Sequence, residues 1–512
     1  MAESYQISLE PYSIQNYLLI FVCGSLLVWY IQFSWKRRKL YIHAAKVKGP
    51  PCLPFIGNAH MFLGNGNDII KKLLKIQEDI PGLSKVWLGP KLVYLVSNPD
   101  HIETILNSPK ALNKDDMYRF VSDFIGYGLL TSHAKKWRHH RKIIAPSFNQ
   151  RILDSFIEVF SEQSVIFSEL LKKYVGQKDI NLYSLITNCT LDIICQTAMG
   201  VEMNIQKGDS DFGEVLDKLM EIVTYRIFRL WYHSDIVWKL SPLSRTFHRL
   251  NKKFKDTTST VVKKKLMEHN RKHSLYQSCV YAEIDDESVK KRMAFLDLIL
   301  ENSDFTEEEL NEEVEIFLAA GTETTASTFC CLCVMLGMHQ EIQQKVYEEA
   351  MDVLGSDRAV ESKDMSKFNY TERVIKETLR LFPIAAILGR TLEEDIDLGD
   401  GITLPAGSSA GFGTVHIHRD PKYWPNPFKF DPDRFLPEEV SKRHPCTYIP
   451  FSYGPRNCIG WRYALSNLKT IIATVIRRYR FHTEYKSVEE IELKINLLLR
   501  MRDGPKVWLE ER

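Results

Sequence analysis

The longest unbroken apolar run lies near the start of the chain: Tyr17 to Phe33 (YLLIFVCGSLLVWYIQF) holds no charged residue. Counted from Ile14, it has about the length a helix needs to cross a bilayer. Trp35-Lys-Arg-Arg-Lys39 follows at once, and Trp29, Tyr30 and Trp35 suit a membrane interface. Gln15, Asn16 and Gln32 weaken the apolar character, so shallow anchoring is expected. The residues before the run include Glu3 and Glu10 but no Lys or Arg. Basic residues prefer the cytoplasmic side, which predicts a lumenal N-terminus and a cytosolic bulk. Neither a positive start nor a small-residue cleavage site suggests a removable signal peptide.

The pattern then changes. Lys48-Gly-Pro-Pro-Cys-Leu-Pro-Phe-Ile-Gly57 is rich in proline, which fixes φ and forbids helix, so a stiff connecting segment is predicted. Two apolar runs within 79–96 are separated by Gly89-Pro-Lys91 and predict a β-hairpin. Most of 100–380 reads as helix with short punctuation, and 395–416 turns β-like again. No internal repeat is visible. The expected architecture is a membrane anchor over 1–35, a basic and proline-rich hinge over 36–60, and one large, mainly α domain with a minor β portion over 61–512.

Composition narrows the function classes. The chain has 512 residues, ordinary hydrophobic (44%) and charged (26%) content, and a net charge of +2, which points to no polyanionic partner. The basic run 252–273 lacks the aromatic residues that stack on bases, so it reads as a solvated helix face and not as a nucleic-acid site. Residues 225–250 interleave aromatic and basic side chains; a substrate entrance, contact with the bilayer surface and plain core packing all fit. Ten cysteines in so long a chain make no disulfide framework; the C-x-x-C of Cys330 to Cys333 falls inside an apolar helical run, where a core role fits better than a metal site, and a reducing compartment fits.

One of those cysteines stands apart. In Phe451-Ser-Tyr-Gly-Pro-Arg-Asn-Cys458-Ile-Gly460 it follows an arginine by two residues and lies between two glycines. Glycines let a backbone turn tightly and approach a flat ligand closely. A cysteine so presented, near a cation, can be held as thiolate. Thiolate is the haem ligand that favours cleavage of the O–O bond of bound dioxygen. A buried structural cysteine is the competing reading.

A second constellation lies in a long helical segment over 303–336, which opens with a capping box, Thr306-x-x-Glu309. At its centre is Ala320-Gly-Thr-Glu-Thr-Thr325, a poor sequence for helix stability. The Thr324 hydroxyl can bond back to the Ala320 carbonyl and bend the helix. Glu323 beside it is an acid placed to feed protons to reduced oxygen, a positioned-donor role; the alternatives are a mere kink and a solvated carboxylate.

The cysteine segment, with Phe451, Gly454, Arg456, Cys458 and Gly460 in frame, resembles the haem-binding loop of the cytochrome P450 superfamily. The Ala320–Thr325 helix resembles that superfamily's oxygen-activation helix. Glu377-Thr-Leu-Arg380, and Arg434 in Asn426-Pro-Phe-Lys-Phe-Asp-Pro-Asp-Arg434-Phe435, resemble its Glu-x-x-Arg helix and downstream arginine segment. The resemblance implies that Glu377, Arg380 and Arg434 form a buried structural network holding the cysteine loop. It also assigns Trp137 and Arg141 of Trp137-Arg-His-His-Arg141 to the haem propionates, with Arg456 and Arg390 as further candidates. His139 and His140 are then bystanders, since Cys458 takes the one protein ligand position needed on the iron.

Gly128-Leu-Leu-Thr-Ser132 and Glu313-Val-Glu-Ile-Phe317 look like the family-4 group, associated with oxidation of fatty acids and other long-chain lipids; insect members also act on hormones and foreign compounds. The chain departs from that group at Ala320, where many members carry a glutamate esterified to the haem. Haem b without an ester is therefore expected. It departs again at Pro383-Ile-Ala-Ala-Ile387, which should line the pocket together with 117–127.

The resemblance implies an endoplasmic-reticulum monooxygenase that inserts one atom of dioxygen into an apolar fatty acid, terpenoid, hormone or xenobiotic. Electrons would come from an NADPH-dependent flavoprotein reductase, with cytochrome b5 as a second donor, since this chain has no dinucleotide fingerprint. A haem-thiolate isomerase or dehydratase, and a non-catalytic haem- or lipid-binding protein, are the alternatives. Glu323 and Thr324 speak against the isomerase, whose chemistry needs no proton delivery.

Overall fold

The uncharged N-terminal run forms helix α1 (Ile14–Lys36). The apolar window of this helix is 0% buried, whereas the other long apolar helix, Glu307–Met338, is 78% buried over its window and belongs to the core. The computed structural model describes residues 14–278 except 179 and 209, residues 295–302, and residues 305–512 except 400. Glu3, Glu10 and Cys279 lie outside the described residues.

The proline-rich hinge is stitched to the sheet. Lys85 donates its backbone N–H to the Lys48 carbonyl (2.9 Å), and Asn58 donates its side-chain amide to the carbonyls of Pro50 (3.3 Å) and Pro51 (2.8 Å). The predicted hairpin forms as β1 (Leu83–Leu88) and β2 (Lys91–Val96), antiparallel, with Leu83 opposite Val96. Gly89 turns it at φ +59°, a conformation that suits glycine. β2 runs parallel to β4 (Ser409–Gly413), which pairs antiparallel with β3 (Ile387–Thr391), giving the order β1-β2-β4-β3. A short pair, Ile396–Asp397 with Thr403–Leu404, accounts for the rest of the β-like stretch. Near the C-terminus β5 (Tyr479–Thr483) pairs with β8 (Val507–Glu511), and β6 (Leu493–Asn496) with β7 (Leu498–Met501).

Helices make the bulk. Those that position the site are α2 (Arg119–Ile125), α3 (Ala134–Ile144), α4 (Leu182–Ile194), α5 (Glu307–Met338), α6 (Asn369–Leu381) and α7 (Trp461–Ile476). The capping box that starts α5 forms in both directions: Thr306 Oγ1 accepts the Glu309 N–H (3.2 Å) and Glu309 Oε2 accepts the Thr306 N–H (3.1 Å). Two orphan donors at the helix start are thereby satisfied. α5 runs through the main core, packed on α4; Gly321 permits the approach, since a Cβ there would lie 2.8 Å from Ile194 Cδ1. α7 packs on the Gln150–Leu171 helix, and a smaller apolar cluster including Tyr94, Leu388 and Phe412 covers the sheet.

The 225–250 stretch divides its roles. Ile227 and Phe228 line the central cavity, Trp238 and Phe247 are buried, and Trp231, Ile236, Val237 and Leu240 are exposed.

Candidate haem and oxygen site

A cavity of about 510 Å³ lies between α5 and the start of α7. Cys458, Phe451, Arg456 and Gly460 bound it on one side and Ala320, Glu323 and Thr324 on another. Its remaining walls are mainly apolar. They include Met117, Val121 and Phe124 from the 117–127 segment and Ile384, Ala385 and Ile387 from the segment after Pro383.

Local turns present Cys458. Its backbone N–H donates to the Phe451 carbonyl (2.9 Å), and Asn457 N–H donates to the Gly454 carbonyl (3.1 Å). Its accessible surface opens onto the cavity that it lines. Burial pushes the thiol above its ordinary value, against the pull of the Gly460 backbone N–H and of the Arg141 and Lys114 charges. A bound metal would reverse the balance, because a coordinating thiol is deprotonated outright. The start of α7, just past Gly460, adds a favourable dipole.

The two glycines do different things. Gly460 lines the cavity. Gly454 does not: it holds φ +73°, and a Cβ there would lie 2.2 Å from the Leu106 carbonyl oxygen. Its need for glycine comes from backbone conformation and packing, not from approach to a flat ligand. Gly454→Ala is therefore expected to displace the loop. Purified variant should carry less than half the wild-type haem, read by absorbance per protein; full occupancy would show that the loop tolerates the displacement.

Four cations gather beside the loop: Lys114, Arg141, Arg390 and Arg456. None of them forms an ion pair with a carboxylate among the described residues. Arg141 forks onto Asn457, bonding its carbonyl (3.0 Å) and its side-chain oxygen (2.9 Å). Arg456 donates to the carbonyls of Leu112 (2.7 Å) and Ser132 (2.5 Å), lies over the buried Trp137 ring at 5.2 Å, and keeps Nε without a partner. Arg390 is buried behind the wall; among the described residues its side chain bonds only to the Gly389 carbonyl (3.1 Å) and leaves Nη2 unpartnered. Burial and the neighbouring Arg390 charge lower Arg456 to about 9, while burial, Arg390 and Arg456 lower Lys114. Buried cations that repel one another, with unused donors, call for anions. A haem group fits: its two propionates would match this cluster, and Cys458 is a thiol on the cavity wall able to serve as its ligand.

Lys114 was not singled out in the sequence; its backbone bridges to Arg390, far along the chain. His139 is exposed and His140 is buried against Glu313, so neither lines the cavity.

On the α5 side, Thr324 Oγ1 donates to the Ala320 carbonyl at 2.7 Å, as the spacing predicts. The helix nevertheless stays α-helical from Glu307 to Met338. Glu323 is no solvated carboxylate. It is buried, and its Oε2 is held by Arg500 of β7 and the Tyr183 hydroxyl of α4. Arg500 also binds Ser327 Oγ, lies near Asp217 (3.5 Å) and stacks on the Tyr183 ring (4.3 Å). Among the described residues Glu323 Oε1 has no partner. Burial raises the carboxyl and Arg500 lowers it, leaving the group above its ordinary value. Ala320 presents only a methyl group to the cavity.

The supporting network sits one layer back. Arg380 forks onto Glu377 (2.6 and 2.8 Å), both fully buried. Glu377 also accepts the Asp431 N–H (2.9 Å) and lies 3.5 Å from Arg434. Arg380 donates to the carbonyls of His418 (3.0 Å), Pro427 (2.8 Å) and Lys429 (3.2 Å), and Arg434 to those of Pro425 (2.6 Å) and Asn426 (3.0 Å). Among the described residues none of these hydrogen bonds or ion pairs reaches the cysteine loop itself. His418 makes the link by accepting the Ile449 N–H (2.8 Å). Burial and Arg380 lower His418 to about 3, which keeps the ring neutral and able to accept.

Comparison with known proteins agrees with this geometry. Residues 47–507 match the family model for Cytochrome P450. The chain is 34% identical over 530 residues to cytochrome P450 4c3 of Drosophila melanogaster, covering 100% of this chain and 98% of that one. It is 36% identical over 488 residues to cytochrome P450 4c21 of Blattella germanica, covering 94% and 95%. It is 36% identical over 468 residues to human cytochrome P450 4V2, covering 89% and 87%.

Proposed function

We propose that this chain, which belongs to the cytochrome P450 family and is a haem-thiolate monooxygenase, inserts one atom of dioxygen into an apolar small molecule using electrons passed from NADPH by a flavoprotein reductase. The observation that carries this reading is the single cavity that Cys458 shares with Thr324 and Glu323 between apolar walls. Bound haem, of the b type with no ester at Ala320, supplies dioxygen binding and O–O cleavage.

The side chains divide the remaining work. Cys458 provides the thiolate, while Lys114, Trp137, Arg141, Arg390 and Arg456 hold the propionates. Glu323 holds a proton at the free Oε1, kept in place through Oε2 by Arg500 and Tyr183. Thr324, tied back to Ala320, orients the water or oxygen species that receives it. The apolar walls exclude bulk water and select a fatty acid, terpenoid, hormone or xenobiotic. α1 anchors residues 1–35 in the endoplasmic-reticulum membrane, the basic stop at Lys36–Lys39 keeps residues 61–512 cytosolic, and the 36–60 hinge joins the two. The exposed Trp231, Ile236 and Leu240 suit contact with the same bilayer.

Reconstitution with a reductase, NADPH and a panel of fatty acids, terpenoids and steroids tests this reading. Reductase-dependent NADPH consumption with an oxygenated product is expected. Turnover of a hydroperoxide without NADPH would identify an isomerase or dehydratase instead. Thr324→Ala is expected to divert electrons to peroxide and lower product per NADPH about tenfold, the kinetic equivalent of one lost hydrogen bond. Unchanged coupling removes Thr324 from proton delivery.

A further inference from the structure

The strip from Gly126 to Ser132 belongs to no helix or strand, yet Leu129 and Leu130 form part of the cavity wall. The Thr131 and Ser132 amides turn back onto the Gly128 carbonyl, while those of Tyr127 and Leu129 need partners from elsewhere. Two come from carboxylates in the second turn of α5. Glu312 Oε1 accepts the Tyr127 N–H at 2.7 Å, and Glu313 Oε2 accepts the Leu129 N–H at 3.2 Å. The other oxygen of each carboxylate grips α3: Glu312 Oε2 lies 3.0 Å from Lys136 Nζ and Glu313 Oε1 lies 2.5 Å from His140 Nδ1. Each carboxylate therefore bridges the strip to the helix that carries Trp137 and Arg141.

The strip is shaped for this grip. Gly126 holds φ +67°, and a Cβ there would lie 2.4 Å from Glu312 Cγ. At Gly128 a Cβ would lie 2.7 Å from Ile316 Cδ1 and 2.9 Å from the Glu313 carboxyl carbon. The Thr131 hydroxyl closes the strip on itself by donating to the Gly126 carbonyl (2.6 Å). Its far end reaches the cation cluster, because the Ser132 carbonyl accepts from Arg456.

We propose that Glu312 and Glu313 are positioning residues for the substrate: they clamp the Gly126–Ser132 strip onto α5 and so fix the Leu129–Leu130 wall of the cavity. The reading rests on that cavity's holding haem and substrate. Charge-assisted bonds from two carboxylates to backbone amides are stronger than neutral ones, which suits a wall segment with no ladder of its own. The clamp decides how far a long apolar substrate is confined, without touching the reacting atoms.

Glu312 is the first variant to make, since Glu313 is fully buried and its truncation endangers folding. Two measurements on the purified full chain test the clamp, exchange with or without haem and spectral titration with it. In amide hydrogen exchange, Glu312→Ala is expected to speed exchange in the 126–131 peptide about tenfold, and Glu312→Gln, which keeps an acceptor, to stay near wild type. In spectral titration, imidazole and a long-chain N-alkylimidazole report the wall without knowledge of the substrate. Glu312→Ala should weaken the alkylimidazole about tenfold and leave imidazole unchanged, with Gln restoring most of the loss. Unchanged exchange, equal loss of both ligands, or a Gln variant that behaves like Ala overturns the proposal. Failure of the wild-type chain to bind haem would instead sink the functional reading, while the exchange measurement still decides the clamp.

Discussion

Cys458→Ala is expected to abolish the thiolate-type spectrum of the ferrous carbon monoxide complex and all reductase-driven turnover. The cavity wall offers no substitute ligand of the same kind. Cys330, Cys331 and Cys333 lie on α5, buried in the core, and burial pushes each of their thiols upward. His139 and His140 lie outside the cavity lining. Haem retained by the cations alone would lack the electron donation that favours O–O cleavage. The measurement is the carbon monoxide difference spectrum of purified variant beside wild type. A surviving thiolate-type band would refute the assignment of Cys458. Cys458→Ser is the companion test, because its oxygen ligand preserves size and should still lose the band.

Arg380→Ala should be nearly as severe, by a different route. It leaves Glu377 buried with its forked partner gone and strips donors from the His418, Pro427 and Lys429 carbonyls. Breaking one side of a buried ion pair costs about 3–5 kcal/mol. A typical domain has only about 5–15 kcal/mol in total. The variant is expected to express poorly, unfold at much lower urea concentration and retain little haem. Arg380→Lys should rescue little, since a point charge cannot reproduce the planar fork and the three carbonyl bonds together. A urea midpoint close to wild type for the alanine variant would show that the pair is dispensable.

What could be read from sequence was what is local along the chain. The hairpin at Gly89, the capping box at Thr306, and the Thr324 bond to Ala320 each involve residues a few positions apart, where geometry follows from spacing. The cysteine loop and the helical bulk were legible for the same reason, with the family resemblance ordering them. What escaped was set by tertiary approach. Arg500, which holds Glu323, lies 177 positions away from it. Lys114 belongs to no motif and gains its place only when β3 brings Arg390 beside it. Gly454 reads as a ligand-facing glycine, and only the Leu106 carbonyl pressed against it reveals a packing role. His418 carries no motif at all, yet it is the joint between the Glu377 network and the segment leading to Cys458.

The four cations beside the loop also bear on the life history of the polypeptide. Without haem they confront one another with no counter-charge, and the newly made chain must close its core around that repulsion. A ligand that binds only the folded form stabilises it in proportion to its supply. Scarce cofactor should therefore shorten the half-life of the protein before it limits any catalytic rate, so that intracellular haem availability sets how much enzyme exists as well as how much of it is active.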